Sequence, residues 1–264
     1  MWDTLIIAPF TNILLFIYQL VGNFGVAIIL FTFLIRLLTH PLTQQQMKGS
    51  KAMQDLQTDK RYIEMQKKYK NDKDKLAQEQ MKLYQELGIN PLASCLPTLI
   101  QFPIIIGLYQ AVIRSLSTTP IELLNLTRLI YPSFLKVSQL IPINPQFLWM
   151  DLGQPERLHV PFLSFGIPVL AIVVTVTSYL QSKMMTPPQS GGDDSQAQAA
   201  AITNSMTLYM PFLMGYLALT FSSGLALYFV ASNVIGIIQY AALGSLNWKN
   251  LLPKGTSTRK PEKK

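Results

Sequence analysis

A single arginine interrupts an apolar run in the first part of the chain. Arg36 is the only charged residue within the otherwise apolar stretch 28–38. Placing an arginine at the centre of a bilayer costs about 2.5–3.5 kcal/mol on insertion scales, so such a side chain usually faces protein or trapped water. Two interpretations stay open. The side chain snorkels towards polar chain, which begins at Gln44 about 12 Å further along a helix, or it has a function inside the membrane.

The apolar segments offer Arg36 no acidic partner. The five segments identified below contain no Asp and no Glu, but neutral polar residues occur in them or beside them. Taken alone, each of these polar residues more often forms a hydrogen bond between helices than part of a binding site. Together they favour a wet cavity that carries one unneutralised positive charge and attracts carboxylates of another chain. They are Thr32, Gln101, Gln110, Thr175, Thr177, Gln181, Ser232, Asn233 and Gln239.

The sequence lacks the patterns of an enzyme. It has only two histidines, His40 and His159, and contains no HExxH motif, no Gly-x-Ser-x-Gly elbow and no Gly-rich phosphate loop. The one cysteine, Cys95, has no second cysteine with which to form a disulfide in the chain. We therefore expect no catalytic residue, no metal site and no cofactor.

The composition indicates several membrane spans. Of 264 residues, 49% are hydrophobic and 14% are charged, with a mean hydropathy of +0.26, whereas about 25% of residues in soluble domains are charged. A helix needs about 20 apolar residues to cross the hydrocarbon core. We therefore predict an all-α, polytopic membrane protein with five transmembrane helices. The five predicted spans are 22–38, 92–113, 160–180, 206–221 and 225–246.

The basic residues predict which side of the membrane each segment occupies. The segment 39–91 contains ten Lys or Arg, and the tail 247–264 contains six. Because cytoplasmic loops carry an excess of Lys and Arg, both are predicted to be cytoplasmic, with the N-terminus outside and the C-terminus in the cytoplasm. The segment 115–159 is then an outer loop, and 184–205 is a cytoplasmic loop.

Two segments are predicted to form helices outside the membrane core. Residues 1–20 are apolar but interrupted by Pro9, which favours an amphipathic helix in the outer interface; a sixth span is the alternative. The stretch 44–87 is polar and rich in helix formers, and Leu76 and Leu83 stand seven residues apart. This pattern predicts a cytoplasmic helical hairpin with coiled-coil-like packing. A solvated connector between two spans is the alternative.

The C-terminal tail has two interpretations. Residues 249–264 carry Lys and Arg without apolar periodicity. Their charges suit anionic lipids or the phosphates of RNA, or they only set the topology of the chain.

Several motifs of the chain resemble the YidC family of membrane protein insertases, which is related to the Oxa-type and Albino-type insertases. The resemblance extends over roughly 1–248 and is densest in the segment 90–104. Any one of its motifs would be a weak signal, whereas their combination is specific. The matching residues are Arg36 with 40–43, Leu56-Gln57, Leu83-Tyr84, 90–104, 181–184, Met210-Pro211, 224–228, Ser232-Asn233 and Gln239.

The resemblance implies a function and a set of site residues. The five helices would surround a hydrophilic groove that is open to the cytoplasm and to lipid and closed to the outside. The chain would insert and help fold newly made membrane proteins in the bacterial plasma membrane, alone or with the Sec translocon, without a nucleotide. The implied groove residues are Arg36, Gln101, Gln181, Tyr228, Ser232 and Asn233. The implied sliding face for the hydrophobic segment comprises Ile28, Phe31, Phe33, Phe212 and Leu213.

The resemblance also implies partners. Newly made membrane proteins would be the clients, and anionic lipids would surround the helices. The hairpin 44–87 and the tail 249–264 would contact the Sec translocon and the ribosome, and no DNA would be bound.

An ion channel or transporter subunit is the rival functional class. Such a protein would be expected to carry carboxylates in its spans or inverted repeats, and the sequence shows neither.

Overall fold

The described chain is built mainly of α-helices. The computed structural model describes residues 1–69, 72–88, 96–116, 119–131, 142–158, 166–185 and 194–243. A π-helical turn, Asp3–Ile7, leads directly into the first α-helix. The α-helices are α1 (Ala8–Val21), α2 (Phe24–Leu38), α3 (His40–Thr58), α4 (Lys60–Lys68), α5 (Lys73–Glu86), α6 (Leu96–Ser115), α7 (Pro120–Leu129), α8 (Val169–Met185), α9 (Asp194–Thr220) and α10 (Ser223–Ala242). A short antiparallel hairpin joins β1 (Gln146–Phe147) to β2 (Met150–Asp151).

Two or three stretches pass a length and hydropathy test for a membrane span. Asp3–Val21 and Ser223–Ala242 pass it singly, and Phe24–Leu38 passes it together with His40–Gly49, across a bend of 56°. Three shorter helical stretches are also apolar. These are Phe102–Ser115, Val169–Met184 and Leu208–Thr220. By this test alone, the described residues contain fewer spans than the five predicted.

Each predicted span overlaps one helix, but the bounds differ. The third span was predicted from residue 160, whereas α8 begins at Val169, directly after Pro168, whose ring favours the start of a helix over its interior. Residues 194–205 of the predicted loop 184–205 form the start of α9, because their alanine-rich sequence has high helix propensity. Their predicted cytoplasmic position stays a prediction. Several predicted segments lie outside the described residues, namely 92–95, 160–165, 244–246 and 249–264.

The central helix of the bundle is α10. It packs against α2, α6, α8 and α9, and the apolar residues of its first two turns belong to the main core. Lipid supplies no hydrophobic force between helices, so close packing of small residues matters more there than in water. A Cβ atom added to Gly224 would lie 2.8 Å from Cγ1 of Val112 and 3.4 Å from Cδ1 of Ile28. Gly224 thus lets α10 approach α2 and α6 at one point.

Contacts along the helices fix their relative directions. Gly224 and Ser232 of α10 meet Ile28 and Arg36 of α2 in the same order, so α2 and α10 are parallel. The α8 helix also runs parallel to α10, because Ser178 and Gln181 of α8 meet Asn233 and Gly236 of α10 in the same order. Val112 near the end of α6 lies beside Gly224 near the start of α10, so the end of α6 meets the beginning of α10.

A loop segment closes the end of the bundle at which α2, α8 and α10 begin. The amide N–H of Ser223 donates to the carbonyl of Gln154 at 2.8 Å, and that of Gly224 donates to the carbonyl of Leu152 at 3.0 Å. The Glu156 carboxylate accepts from the amide of Leu170 at 3.0 Å and from the indole N–H of Trp149 at 2.9 Å. These bonds satisfy N–H groups that the first turns of helices otherwise leave unpaired. We call residues 146–156 the cap, and the end that they cover the capped end.

Both extremities of the stretch Asp3–Val21, which includes α1, lie near the capped end. Val21 is joined to α2 through a turn at Gly22, which has a left-handed φ of 71°. At the other extremity, Asp3 accepts a bond of 2.7 Å from Arg114 in the last turn of α6. Between them, the Asn12 side chain donates to the carbonyl of Leu129 at 2.8 Å. Phe10, near the start of α1, meets Phe31 in the middle of α2, so α1 packs along only the first half of α2.

The predicted hairpin segment contains three helices. Leu56, Tyr62 and Leu83 form a small buried cluster separate from the main core. Asp59 begins α4 by accepting the amide N–H of Arg61, and this bond lowers the pKa of the Asp59 carboxyl. Burial raises the pKa of the Tyr62 hydroxyl, so that side chain is neutral at physiological pH. The cluster packs α4 against α5 outside the bundle.

Candidate functional site: a polar cluster around Arg36

The Arg36 side chain is hydrogen-bonded to the central helix, α10. It lies in the last turn of α2 and is partly buried. Its Nε–H donates to Oγ of Ser232 at 3.1 Å, and a terminal N–H donates to the same oxygen at 2.5 Å. Two bonds to one hydroxyl oxygen hold the guanidinium in one orientation beside α10.

The backbone of Arg36 is held by the same helix. The side-chain amide of Gln239 donates to the carbonyl of Arg36 at 3.0 Å. Thr39 ends α2, and its hydroxyl donates to the carbonyl of Ile35 at 2.8 Å. Gln239 thus supplies a partner to a carbonyl that the end of a helix leaves free, whereas the carbonyl of Ile35 also accepts the backbone N–H of Thr39. The site therefore sits at the bend between α2 and α3, where α10 contacts both the backbone and the side chain of Arg36.

Gln181 brings α8 into the cluster. A Cβ atom added to Gly236 would lie 2.7 Å from Nε2 of Gln181 and 3.5 and 3.6 Å from the two terminal nitrogens of Arg36. The Gln181 amide and the guanidinium thus lie side by side over the backbone of α10. Asn233 sets the register of α8, because its amide donates to Thr177 Oγ1 at 3.1 Å and to Ser178 Oγ at 2.8 Å.

The charge of Arg36 has no acidic neighbour in the described part of the chain. No carboxylate there forms an ion pair with it, and its terminal N–H groups that do not bond Ser232 have no hydrogen-bond partner among the described residues. The described neighbours of the guanidinium on α8 and α10 are neutral polar groups, namely the Ser232 hydroxyl, the Gln181 amide and the phenols of Tyr228 and Tyr240. The cluster is therefore a fixed cationic donor in a neutral polar environment, which suits an anionic ligand.

The predicted groove residues come together in part. Arg36, Gln181, Ser232 and Asn233 form the connected cluster described above. Tyr228 lies one turn before Ser232 but is only 2% exposed and belongs to the main core. Its ring is therefore packed in the core, but its hydroxyl is near enough to interact electrostatically with Arg36, and its role as a groove residue stays a prediction. The side chain of Gln101 lies outside the described residues.

The predicted sliding face needs a correction on α2. Ile28 and Phe31 are 0% exposed, because they lie on the side of α2 that faces the core; the Phe31 ring meets the Phe10 ring edge to face, with centroids 5.3 Å apart. Phe33 is 53% exposed and Phe212 is 62% exposed, while Leu213 is partly buried. The exposed apolar residues instead follow the helical repeat on the other side of each helix. They include Leu30, Phe33 and Leu37 on α2, and Tyr209, Phe212 and Tyr216 on α9.

One residue of the cluster, Gly236, was not predicted from the sequence. Gly236 stands at the spacing i, i+4, i+7 with Ser232 and Gln239, which places all three on one side of α10. A glycine between two polar residues on one helical face was the available signal. In the part of the chain that the structure describes, no group of three or more His, Cys, Asp or Glu residues is arranged to hold a metal ion.

The sequence is similar to a family model and to several named proteins. The family model described as 60Kd inner membrane protein matches residues 16–248. The membrane protein insertase MisCA of Bacillus subtilis is 33% identical over 241 residues, which cover 90% of this chain and 77% of that protein. The membrane protein insertase YidC 2 of Listeria innocua is 34% identical, with 90% and 70% covered.

Longer relatives match over a smaller share of their length. The membrane protein insertase YidC of Syntrophobacter fumaroxidans is 34% identical over 90% of this chain but only 37% of its own. The fold is similar to a crystal structure of an active YidC insertase with its first transmembrane domain resolved, with a TM-score of 0.51 and 27% identity. That match covers 85% of this chain and 43% of the other.

Proposed function

Because the chain belongs to the 60Kd inner membrane protein family, whose members above are named membrane protein insertases, we propose that it inserts newly made membrane proteins, its clients, into the bacterial plasma membrane. The relatives are insertases and not enzymes. The single observation that carries the detailed proposal is the Arg36 guanidinium, held by Ser232 between three helices without an acidic partner among the described residues.

The first step of the proposed mechanism is electrostatic. An acidic segment beside the client's hydrophobic stretch pairs with the free N–H groups of Arg36. At 4 Å and an effective dielectric constant of 20, two unit charges attract by about 4 kcal/mol. Because Ser232 already orients the guanidinium, little ordering of the site is needed when the client arrives.

The second step transfers the hydrophobic stretch into lipid. The exposed apolar residues of α2 and α9, among them Phe33 and Phe212, offer a path beside the site. Burying about 20 apolar residues, at about 25 cal/mol per Å² of apolar surface, supplies the driving force. The protein then lowers the barrier for the polar flank, and no nucleotide is consumed.

We assign the five spans to α2, α6, α8, α9 and α10. The parallel course of α2, α8 and α10, and the contact of the end of α6 with the beginning of α10, support this assignment. The capped end is the outer side, so the cap closes the groove there while Arg36 lies towards the cytoplasm. The short apolar stretches would thin the bilayer locally and shorten the path of the polar flank.

We place α1 in the outer interface. The stretch Asp3–Val21, which includes α1, satisfies the length and hydropathy test for a span. The contact of Asp3 with Arg114, however, brings its beginning to the same end of the bundle as its last residue. The N-terminus is then outside and the C-terminus cytoplasmic.

The cytoplasmic helices α3–α5 are proposed to receive clients or their carriers. Their buried cluster makes α4 and α5 an ordered pair, and the pair carries many lysines. We propose contacts of this pair with the ribosome and the Sec translocon, and of the basic tail 249–264 with the ribosome or anionic lipids.

Reconstitution tests the function itself. The purified chain, placed in liposomes alone, is expected to insert a single-span client with an acidic N-terminal flank several-fold faster than empty liposomes do. Protection of an N-terminal tag from added protease measures insertion, and retention of an enclosed dye shows that the vesicles stay sealed. Insertion no faster than in empty liposomes would contradict the proposal, and dye loss would favour the channel class.

A further inference from the structure

One side of α10 is shaped around Arg36. Ser232 and Gln239 contact the side chain and the backbone carbonyl of Arg36, and Gly236 lies between them on the same face. An added Cβ at Gly236 would meet the Gln181 amide at 2.7 Å, which is too close for a real contact, and both terminal nitrogens of Arg36 at the edge of ordinary contact. Because Gly236 has no side chain, the Gln181 amide and the Arg36 guanidinium can occupy the space beside it.

The backbone does not require a glycine at this position. Among the described residues, the glycines with a positive φ are Gly22 and Gly88, and Gly236 lies within the continuous helix α10. Glycine in the interior of a helix is about 1 kcal/mol less favourable than alanine. The helix therefore carries a glycine that weakens it locally, and the close approach of Gln181 and Arg36 gives a physical reason.

We propose that Gly236 is a positioning residue for Arg36, because it leaves room for the Gln181 amide to lie beside the guanidinium and keep its free N–H groups turned towards the client. This inference rests on the proposed function. Any side chain at position 236 displaces the Gln181 amide, since that flexible end is the nearest group. The amide then moves against the guanidinium or leaves it unsupported. The positive charge is retained, but its orientation towards an acidic flank changes.

The experiment measures flank selectivity, the ratio of insertion rates for two clients that differ only in an acidic or a neutral flank. Gly236→Ala is expected to lower this ratio about fivefold. The rate for the neutral client is expected to stay close to that of the parent, because alanine favours the helix. A purely structural role would instead slow both clients equally. Val234→Ala, on the exposed side of the same helix, is the matched control and should leave the ratio unchanged.

A double variant tests the route through Gln181. In a Gln181→Ala background the atoms that an alanine at 236 would strike are absent. Adding Gly236→Ala there is expected to change the ratio no further. The inference is overturned if Gly236→Ala leaves the ratio of the parent unchanged, or lowers it equally in both backgrounds. A parent that shows no preference for acidic flanks would instead contradict the electrostatic step of the proposed function.

Discussion

Arg36→Ala is expected to slow insertion of a client with an acidic flank by about 10- to 100-fold, corresponding to about 1.4–2.8 kcal/mol. The reason is the loss of the positive charge that Ser232 orients between α2 and α10. This loss is smaller than the attraction of about 4 kcal/mol calculated above, because water and the neutral polar groups partly replace the guanidinium. Reconstituted vesicles and the protease-protection readout provide the measurement.

The matched variant retains the charge. Arg36→Lys is expected to preserve most of the insertion rate, although lysine lacks the planar fork that bonds Ser232 twice. The rate for a client with a neutral flank should change little in either variant. If Arg36→Ala inserted the acidic client as fast as the parent, the electrostatic step would be wrong.

Replacing residues 60–86 by a flexible Gly-Ser linker is the second change with a large expected effect. Insertion of clients delivered by translating ribosomes should fall about tenfold, equivalent to about 1.4 kcal/mol of binding free energy. The thermal unfolding of the bundle in detergent should be unchanged, because the cluster of Leu56, Tyr62 and Leu83 shares no residue with the main core.

Point variants test whether insertion depends on the packing of the α4–α5 pair or only on the length of this segment. Leu83→Ser removes a buried member of the cluster and should reproduce part of the loss. Met81→Ser, at an exposed position of the same helix, should have no effect. Undiminished insertion after the replacement of 60–86 would assign this segment the role of a connector between spans.

Sequence reasoning identified the main chemistry of the site because that chemistry depends on residue type. A charge in an apolar run and the polar residues Gln181, Ser232 and Asn233 stand out without a structure. Which of them meet depends on helix directions and register, which interhelical bonds such as that of Asn233 with Ser178 determine. Composition does not contain that information.

The sliding face on α2 was predicted incorrectly because the faces of this helix are similar in hydrophobicity and differ only in what packs against them. Nearly every residue of α2 is apolar, so hydrophobicity could not distinguish the buried Ile28 and Phe31 from the exposed Phe33. The cap was not predicted either, because its bonds run between backbone groups of 152–154 and the start of α10. Gly236 was overlooked because its role depends on the neighbouring Gln181 of another helix.

Cross-linking tests the central claim, that Arg36 attracts acidic segments of the client, most directly. Cys95 is first replaced by serine, since it is the only native cysteine. Thr39→Cys, one turn after Arg36, and a client with one cysteine in its acidic flank should then form a disulfide during insertion. Ile172→Cys, exposed near the start of α8, should not. The account predicts that adding Arg36→Ala reduces the Thr39 cross-link about tenfold; an equal yield with and without the arginine would contradict it.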